Sequence, residues 1–434
     1  MKSKTIALIA LLSANLFCYS QVVELPLTVH NGYGPFSMGF GGASPIPENE
    51  NNPWKNSYLK VSKFPQGLTE MKYGNFETNI YQSVYQDYLS GNITKEWYND
   101  LQKSWSWIPD TLNLSKIPVK TKIAFAYGKD LDGNLKIVVD TNNNLDLSDD
   151  KLFSLPEMSS FYLNYSQEQL SQTYAVNVSF EIYSHNKIVS VNAPLVIVFN
   201  NFNNSVSIMY NFSQYLTTQF KDEPIAVSSS NFTNLSYNDI GVIFINSLKD
   251  GEKVDRENIL RKNEYIEIKD DIYKIIGVNT NRNTLVLEKI NLPKTQIFST
   301  QIGYKSHLFQ EKKFTTEATI SLESLKGKYV LLDFWAEWCG PCIQEFSTLK
   351  ELYAKTDREK FEIIGIAGRS TSEGIKKLID RHTIVWPQIL SDTLVKMYGV
   401  NSFPTTILLD TNGTVISKDL RGKKLEEEIL NLLK

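Results

Sequence analysis

The chain carries three cysteines in 434 residues, and two of them, Cys339 and Cys342, are separated by only two residues where an apolar run gives way to an amphipathic one. No other feature narrows the fold as much. A bridge across so short a loop barely constrains the unfolded chain, so the pair is not there as a staple. A tetrahedral structural zinc site needs four ligands, and the four histidines, His30, His185, His307 and His382, are scattered without ligand spacing. A redox dithiol is the favoured reading.

The surroundings of the pair predict a strand followed by a helix. Tyr329 to Phe334 (YVLLDF) is rich in strand formers, and after Trp335 to Cys342 (WAEWCGPC) the residues Ile343, Phe346, Leu349 and Tyr353 fall at helical spacing. Cys339 is therefore expected where the helix begins, where free N–H groups and the positive end of the helix dipole lower a thiol below its usual ~8.5. Cys342, one turn further in, is expected to be the buried resolving thiol. Phe361 to Ala367 reads as a buried strand, Ser372 to His382 as a helix, and Thr406 to Asp410 with Thr414 to Ser417 as a hairpin around Asn412-Gly413. Asp333 is an acid inside an apolar strand, costly to bury unless its proton is used or it finds partners. Glu345 is read in the first turn of the dithiol helix, where it either complements the dipole or handles a proton.

The run D-F-W-A-E-W-C-G-P-C, followed about sixty residues later by S-F-P-T-T, resembles the thioredoxin superfamily. Within it, the leader L-K-G-K-Y-V-L-L, the pair Trp386-Pro387 and the helix start C-I-Q-E-F are similar to the TlpA-like envelope thiol-disulfide oxidoreductases, over about the last 130 residues. The resemblance implies that Cys339 attacks, that Cys342 resolves, and that Pro404 is a cis-proline whose loop holds a substrate chain. Phe403, Trp338, Gly340 and Pro341 are the implied substrate contacts. Asp333 occupies the place of the buried acid of ordinary thioredoxins and Glu345 that of a glutamate found in some envelope members. Having both departs from many TlpA-like sequences and leaves two candidates for the proton acceptor. No cofactor is implied beyond the redox-active Cys339–Cys342 disulfide. The implied partners are disulfide-containing protein clients and an external electron donor, such as a membrane dithiol relay. A peroxiredoxin-like peroxidase fits less well, because its peroxidatic cysteine normally stands alone rather than in C-x-x-C.

At the amino terminus, Lys2 and Lys4 precede the apolar run Ile6 to Leu12, the pattern of a secretory signal peptide cleaved after Ser20. An exported protein of the periplasm or cell envelope is expected, and cleavage removes Cys18. An uncleaved anchor is the alternative. The expected fold is multidomain: signal peptide 1–20, a β-rich amino-terminal domain 21–235, a small β lobe and linker 236–305, and an α/β thioredoxin-like fold 306–434. Tyr81 to Leu101 reads as a broken helical stretch, 31–53 as loop, and runs such as Lys122 to Tyr127, Ala175 to Ile182 and Lys187 to Val198 as strands. This extension has a general likeness to those of exported TlpA-like proteins from Bacteroidetes-type bacteria. Asp140, Asn142, Asn144 and Asp146 place oxygens at alternate positions, as calcium loops do, but Leu145 stands where the loop wants Gly and Lys151 where it wants an acid. A hairpin turn is the equal alternative there. With 45 Lys plus Arg against 48 Asp plus Glu, the basic excess for nucleic acid binding is missing. Two function classes follow: an envelope disulfide reductase, or a surface or client-binding protein in which the β-rich region does the main work.

Overall fold

The computed structural model describes residues 21–434 apart from 48, 50, 106, 160–165, 203–204, 250 and 317. The expected signal peptide, with Cys18 and the cleavage after Ser20, lies outside the described residues. Among those described, no helix is long and apolar enough to cross a membrane.

Period-two alternation of apolar residues makes the amino-terminal region a stack of antiparallel sheets. Ala175–Ser184, Lys187–Phe202 and Ser205–Phe212 form a meander whose inward side chains, Val178, Phe180, Leu195, Ile197 and Phe212, meet Phe76, Ile123, Phe125 and Ile137. The latter come from a sheet built on Thr69–Glu77, Lys122–Lys129 and Leu135–Val139. A second pair of sheets packs through Leu25, Leu216, Val227, Val242, Ile275 and Leu285. The broken helical stretch is two helices, Ile80–Leu89 and Lys95–Ser104, capped by Asn79 and Thr94 and packed through Tyr85, Tyr98 and Trp107.

Three expectations are corrected. The division at 235/236 cuts one sheet: Glu223–Ser229 pairs with Ile240–Phe244, so the Ser- and Asn-rich stretch between them is a turn joining neighbouring strands. Val22–Pro26 also pairs with Thr284–Ile290, closing the region from its first strand to its last. Within 31–53, Gly41–Ala43 is a strand on Ser205–Phe212, hidden in the sequence because two glycines carry no alternating side chain. The linker near Pro293 to Ser306 is stitched on both sides. Gln301 exchanges hydrogen bonds with the backbone of Tyr265 (2.7 and 2.9 Å), and Gly303 N–H donates to the Val415 carbonyl (2.8 Å).

The carboxy-terminal part has the expected thioredoxin-like layout. Its sheet runs in the order Gln388–Leu390, Phe361–Ala367, Tyr329–Trp335, Thr405–Leu409, Val415–Lys418, with the first three strands parallel, Thr405–Leu409 antiparallel to them and Val415–Lys418 antiparallel to Thr405–Leu409. Leu331 and Trp335 point to one face, under the helices Gly340–Lys355, Ser372–His382 and Gly422–Leu432. Val330, Leu332 and Phe334 point to the other, under Asp392–Met397. Gln388–Leu390 and Asp392–Met397 were not expected, being too short for a readable period. The chain is thus multidomain, a mostly β amino-terminal region followed by an α/β thioredoxin-like fold.

Candidate functional site

The central strand ends at Trp335, and Ala336–Cys339 turns the chain into the dithiol helix. Cys339 is the N-cap, with extended backbone, and its Sγ accepts the Cys342 N–H at 3.2 Å. A sulfur thus fills the position usually held by a Ser or Asp oxygen. Pro341 lies in the first turn, where no intrahelical N–H is required. The two sulfurs are bonded (S–S 2.01 Å, Cα–Cα 5.3 Å). Both cysteines are buried, whereas Gly340 and Pro341 between them are exposed.

Around this corner the structure gathers the expected contact residues. The Phe403–Pro404 bond is cis. Trp338 is 62% exposed; its ring meets the edge of Phe403 at 5.8 Å between centroids, and its indole N–H donates to the Arg369 carbonyl at 2.9 Å. Sequence reasoning missed Arg369. Its guanidinium lies over the Phe403 ring (5.4 Å) and donates to the carbonyls of Val400 and Asn401, while its own N–H donates to Asp392 Oδ1. Its φ of 50° puts it in the left-handed region, which these contacts hold in place. Nothing in the linear sequence marks it. Below the corner, the Trp335 indole N–H donates to Gln388 Oε1 at 2.9 Å, and a Cβ on Gly365 would lie 2.2 Å from that oxygen.

Asp333 is 3% exposed and lies between Leu331 and Trp335 on the strand face whose core contains both cysteines. Burial pushes its carboxyl up to about 7; the nearby Glu345 carboxylate adds to this and the Arg421 guanidinium opposes it. Glu345 is not in the first turn as expected, because the helix starts at Gly340 and its first turn holds no acid. It reaches instead to the start of the last helix, where its Oε1 accepts the Gly422 N–H at 2.7 Å. The dipole it complements belongs to another helix.

Two features lie apart from the dithiol. In the Asp140 loop each candidate side chain accepts a backbone N–H: Asp140 from Asn144 and Leu145, Asn142 from Asn144, Asn144 from Asp146, and Asp146 from Ser148. Lys63 pairs with Asp146 at 2.6 Å. This is the arrangement of an Asn/Asp turn, and among the described residues no group of three or more His, Cys, Asp or Glu is placed to hold a metal ion. A cavity of about 260 Å³ opens where the amino-terminal sheets meet, lined by Thr121, Phe180, Leu216, Tyr237 and Val278 among others, and none of the dithiol-site residues contributes to it.

Residues 302–418 match the AhpC/TSA family. A ResA thiol-disulfide oxidoreductase from Bacillus thuringiensis subsp. konkukian is 33% identical over 117 residues, covering 26% of this chain and 67% of the relative. The chain belongs to the ResA-like thiol-disulfide oxidoreductases. ResA from Bacillus anthracis is 32% identical over the same shares. Among solved structures, the thioredoxin domain of a thiol-disulfide oxidoreductase from Bacteroides vulgatus is 28% identical, covering 31% of this chain and 98% of that one at a TM-score of 0.29. A thiol-disulfide oxidoreductase from Bacteroides fragilis is likewise 28% identical, covering 30% and 99% at 0.27. The ResA-like part is a minority of the chain, and the sheets of the amino-terminal region are an extension to it.

Proposed function

We propose that this ResA-like chain is an exported disulfide reductase of the cell envelope, passing two electrons from an external dithiol donor to disulfides of client proteins through Cys339 and Cys342. The observation that carries this reading is Cys339 at the helix N-cap with its sulfur on the Cys342 amide. That setting stabilises a thiolate on the attacking residue.

In the reduced protein the Cys339 thiolate attacks one sulfur of a client disulfide. The Cys339–client bond forms as the client S–S bond breaks, and the freed client sulfur leaves as a thiolate that takes up a proton. Cys342 then gives its proton to the Asp333 carboxylate and attacks the Cys339 sulfur. The bond to the client breaks, its second thiolate departs, and the Cys339–Cys342 disulfide is the two-electron oxidised product. A carboxyl brought near 7 is matched to that proton transfer at neutral pH. Glu345 is the poorer acceptor because one of its oxygens already holds the Gly422 N–H. After loss of the leader no third cysteine is present to reset the pair, so a donor from outside, such as a membrane dithiol relay, supplies the electrons. The reductive direction is supported by Gly340-Pro341, the dipeptide of thioredoxin.

The test is insulin reduction by the protein from Gln21 onward, with dithiothreitol as donor. Cys339→Ser is expected to abolish turnover, and Cys342→Ser to accumulate mixed disulfides in envelope extract, since only the latter keeps the attacking thiol. Capture by Cys339→Ser and not by Cys342→Ser would reverse the roles. Faster oxidation of a reduced protein than reduction of insulin would reverse the direction.

A further inference from the structure

The segment Asp419–Gly422, between the hairpin and the last helix, has no part in the reaction as described above, yet it is bound to both halves of the site. Asp419 N–H donates to the Thr406 carbonyl (2.8 Å), and the Thr406 hydroxyl donates back to the Leu420 carbonyl (2.9 Å). Thr406 stands directly opposite Asp333 across the sheet. One residue on, the Arg421 guanidinium donates to the carbonyl of the cis-proline, Pro404. At the next residue, Gly422 N–H donates to Glu345 on the dithiol helix. Gly422 has φ +53 and open space where a Cβ would be, so the backbone turn, not crowding, is what calls for glycine. Two consecutive residues thus tie the cis-proline loop and the dithiol helix to one point.

We propose that Arg421 is a positioning residue for thiol-disulfide exchange: it fixes the Pro404 carbonyl, and with it the loop a client chain lies along, and it sets its positive charge against Asp333. The proposal rests on the dithiol reading given above. The charged groups acting on Asp333 are Glu345 from the dithiol helix and Arg421 from the start of the last one. The strands on either side place Gly365 and Thr406 opposite it, and neither titrates. Removing the guanidinium charge leaves Glu345 unopposed. Asp333 then holds its proton to higher pH, and resolution by Cys342 needs a higher pH to reach the same rate.

The experiment uses the reduced protein from Gln21 onward, mixed by stopped flow with insulin and separately with 5,5′-dithiobis(2-nitrobenzoate), from pH 5.5 to 9. Arg421→Gln is expected to move the pH midpoint of the resolution step upward by roughly one unit, and to raise the insulin KM several-fold while changing attack on the small disulfide less. Arg421→Lys, which keeps the charge and loses the planar donor, is expected to hold the midpoint and still raise the insulin KM. An Arg421→Gln midpoint and insulin KM equal to wild type would overturn the proposal. So would losses equal for both disulfides and both variants with a lowered melting temperature, because the residue would then be structural. Wild-type protein inert toward both disulfides would count against the dithiol reading itself.

Discussion

Asp333→Asn isolates one buried carboxyl, and the structure fixes both sign and size of its effect on stability. Moving a carboxyl from its ordinary 3.8 to about 7 on folding corresponds, at about 1.4 kcal/mol per pH unit, to about 4 kcal/mol. Below about pH 3 the group is protonated folded or unfolded and contributes nothing. Between pH 4 and 7 the folded chain keeps a proton the unfolded chain has released, so stability falls as pH rises, and above about pH 8 the whole penalty is present. Asparagine is neutral throughout. The variant should therefore match wild type near pH 3, exceed it by about 1 kcal/mol at pH 4.5 and by up to about 4 kcal/mol at pH 9. Glu77, half-buried in the amino-terminal region and also pushed up to about 7 by desolvation, gives wild type a second loss in the same window. It is present in both proteins and cancels in the difference. Calorimetry of the oxidised proteins at several pH values gives the measurement, taken on the transition that moves when the Cys339–Cys342 bond is reduced. Curves separated by a constant offset from pH 4.5 to 9 would refute the reasoning, because the carboxyl would then not change its ionisation on folding in that range.

Trp338→Ala should raise the insulin KM several-fold and lower stability by less than about 1 kcal/mol, since most of the ring faces solvent; an unchanged KM would remove it from the client surface. Residues 298–434, which keep the pairing of Gly303 and Tyr304 with Val415, should reduce a small disulfide within a few-fold of the longer protein while the clients trapped by Cys342→Ser become fewer. Loss of the generic reaction would mean that the amino-terminal sheets complete the site.

The dithiol corner was legible because its signals are local. Strand, turn and helix adjoin in the chain, the cysteine spacing falls within one helical turn, and Asn412-Gly413 marks its hairpin. The charge network beneath it was not. Glu345 meets Gly422 77 residues further on, and Arg421 meets Pro404 across 17 residues, so neither contact leaves a period or a spacing in the sequence. For Glu345 the sequence offers its own helix dipole or a proton-handling role, and not Gly422, because only its own helix can be read around it. Arg369 is a similar case, joining the turn at Trp338 to the loop at Val400–Phe403 through backbone carbonyls that any residues could supply. In the extension, strands with clean alternation were readable, whereas the turn at 230–239 looked like a boundary because turn composition does not say whether the strands it joins are paired.

The segment that joins the extension to the redox domain meets that domain's sheet at the end remote from the thiols. Thr405 pairs with Phe334 beside the dithiol turn, whereas Leu409 pairs with Val330 at the other end, and the Asn412-Gly413 turn lies beyond that. It is there that Ser306 N–H meets the Gly413 carbonyl (2.9 Å) and Lys305 Nζ the Asn412 carbonyl (2.8 Å). The extension itself touches the edge strand further along, where Lys418, level with Ile407 and Leu332, pairs with Glu264 at 3.2 Å, both side chains largely buried. Residues 21–301 hold no cysteine, so they offer no thiol to exchange with the pair. Trp338, Gly340 and Pro341 remain exposed beside the disulfide. Whatever the extension binds is therefore brought near the dithiol by tethering, which raises local concentration without changing the chemistry. Under the proposed reading, substitutions in the extension should change which clients Cys342→Ser traps while leaving reduction of a small disulfide unaltered, and equal loss of both would count against a tethering role.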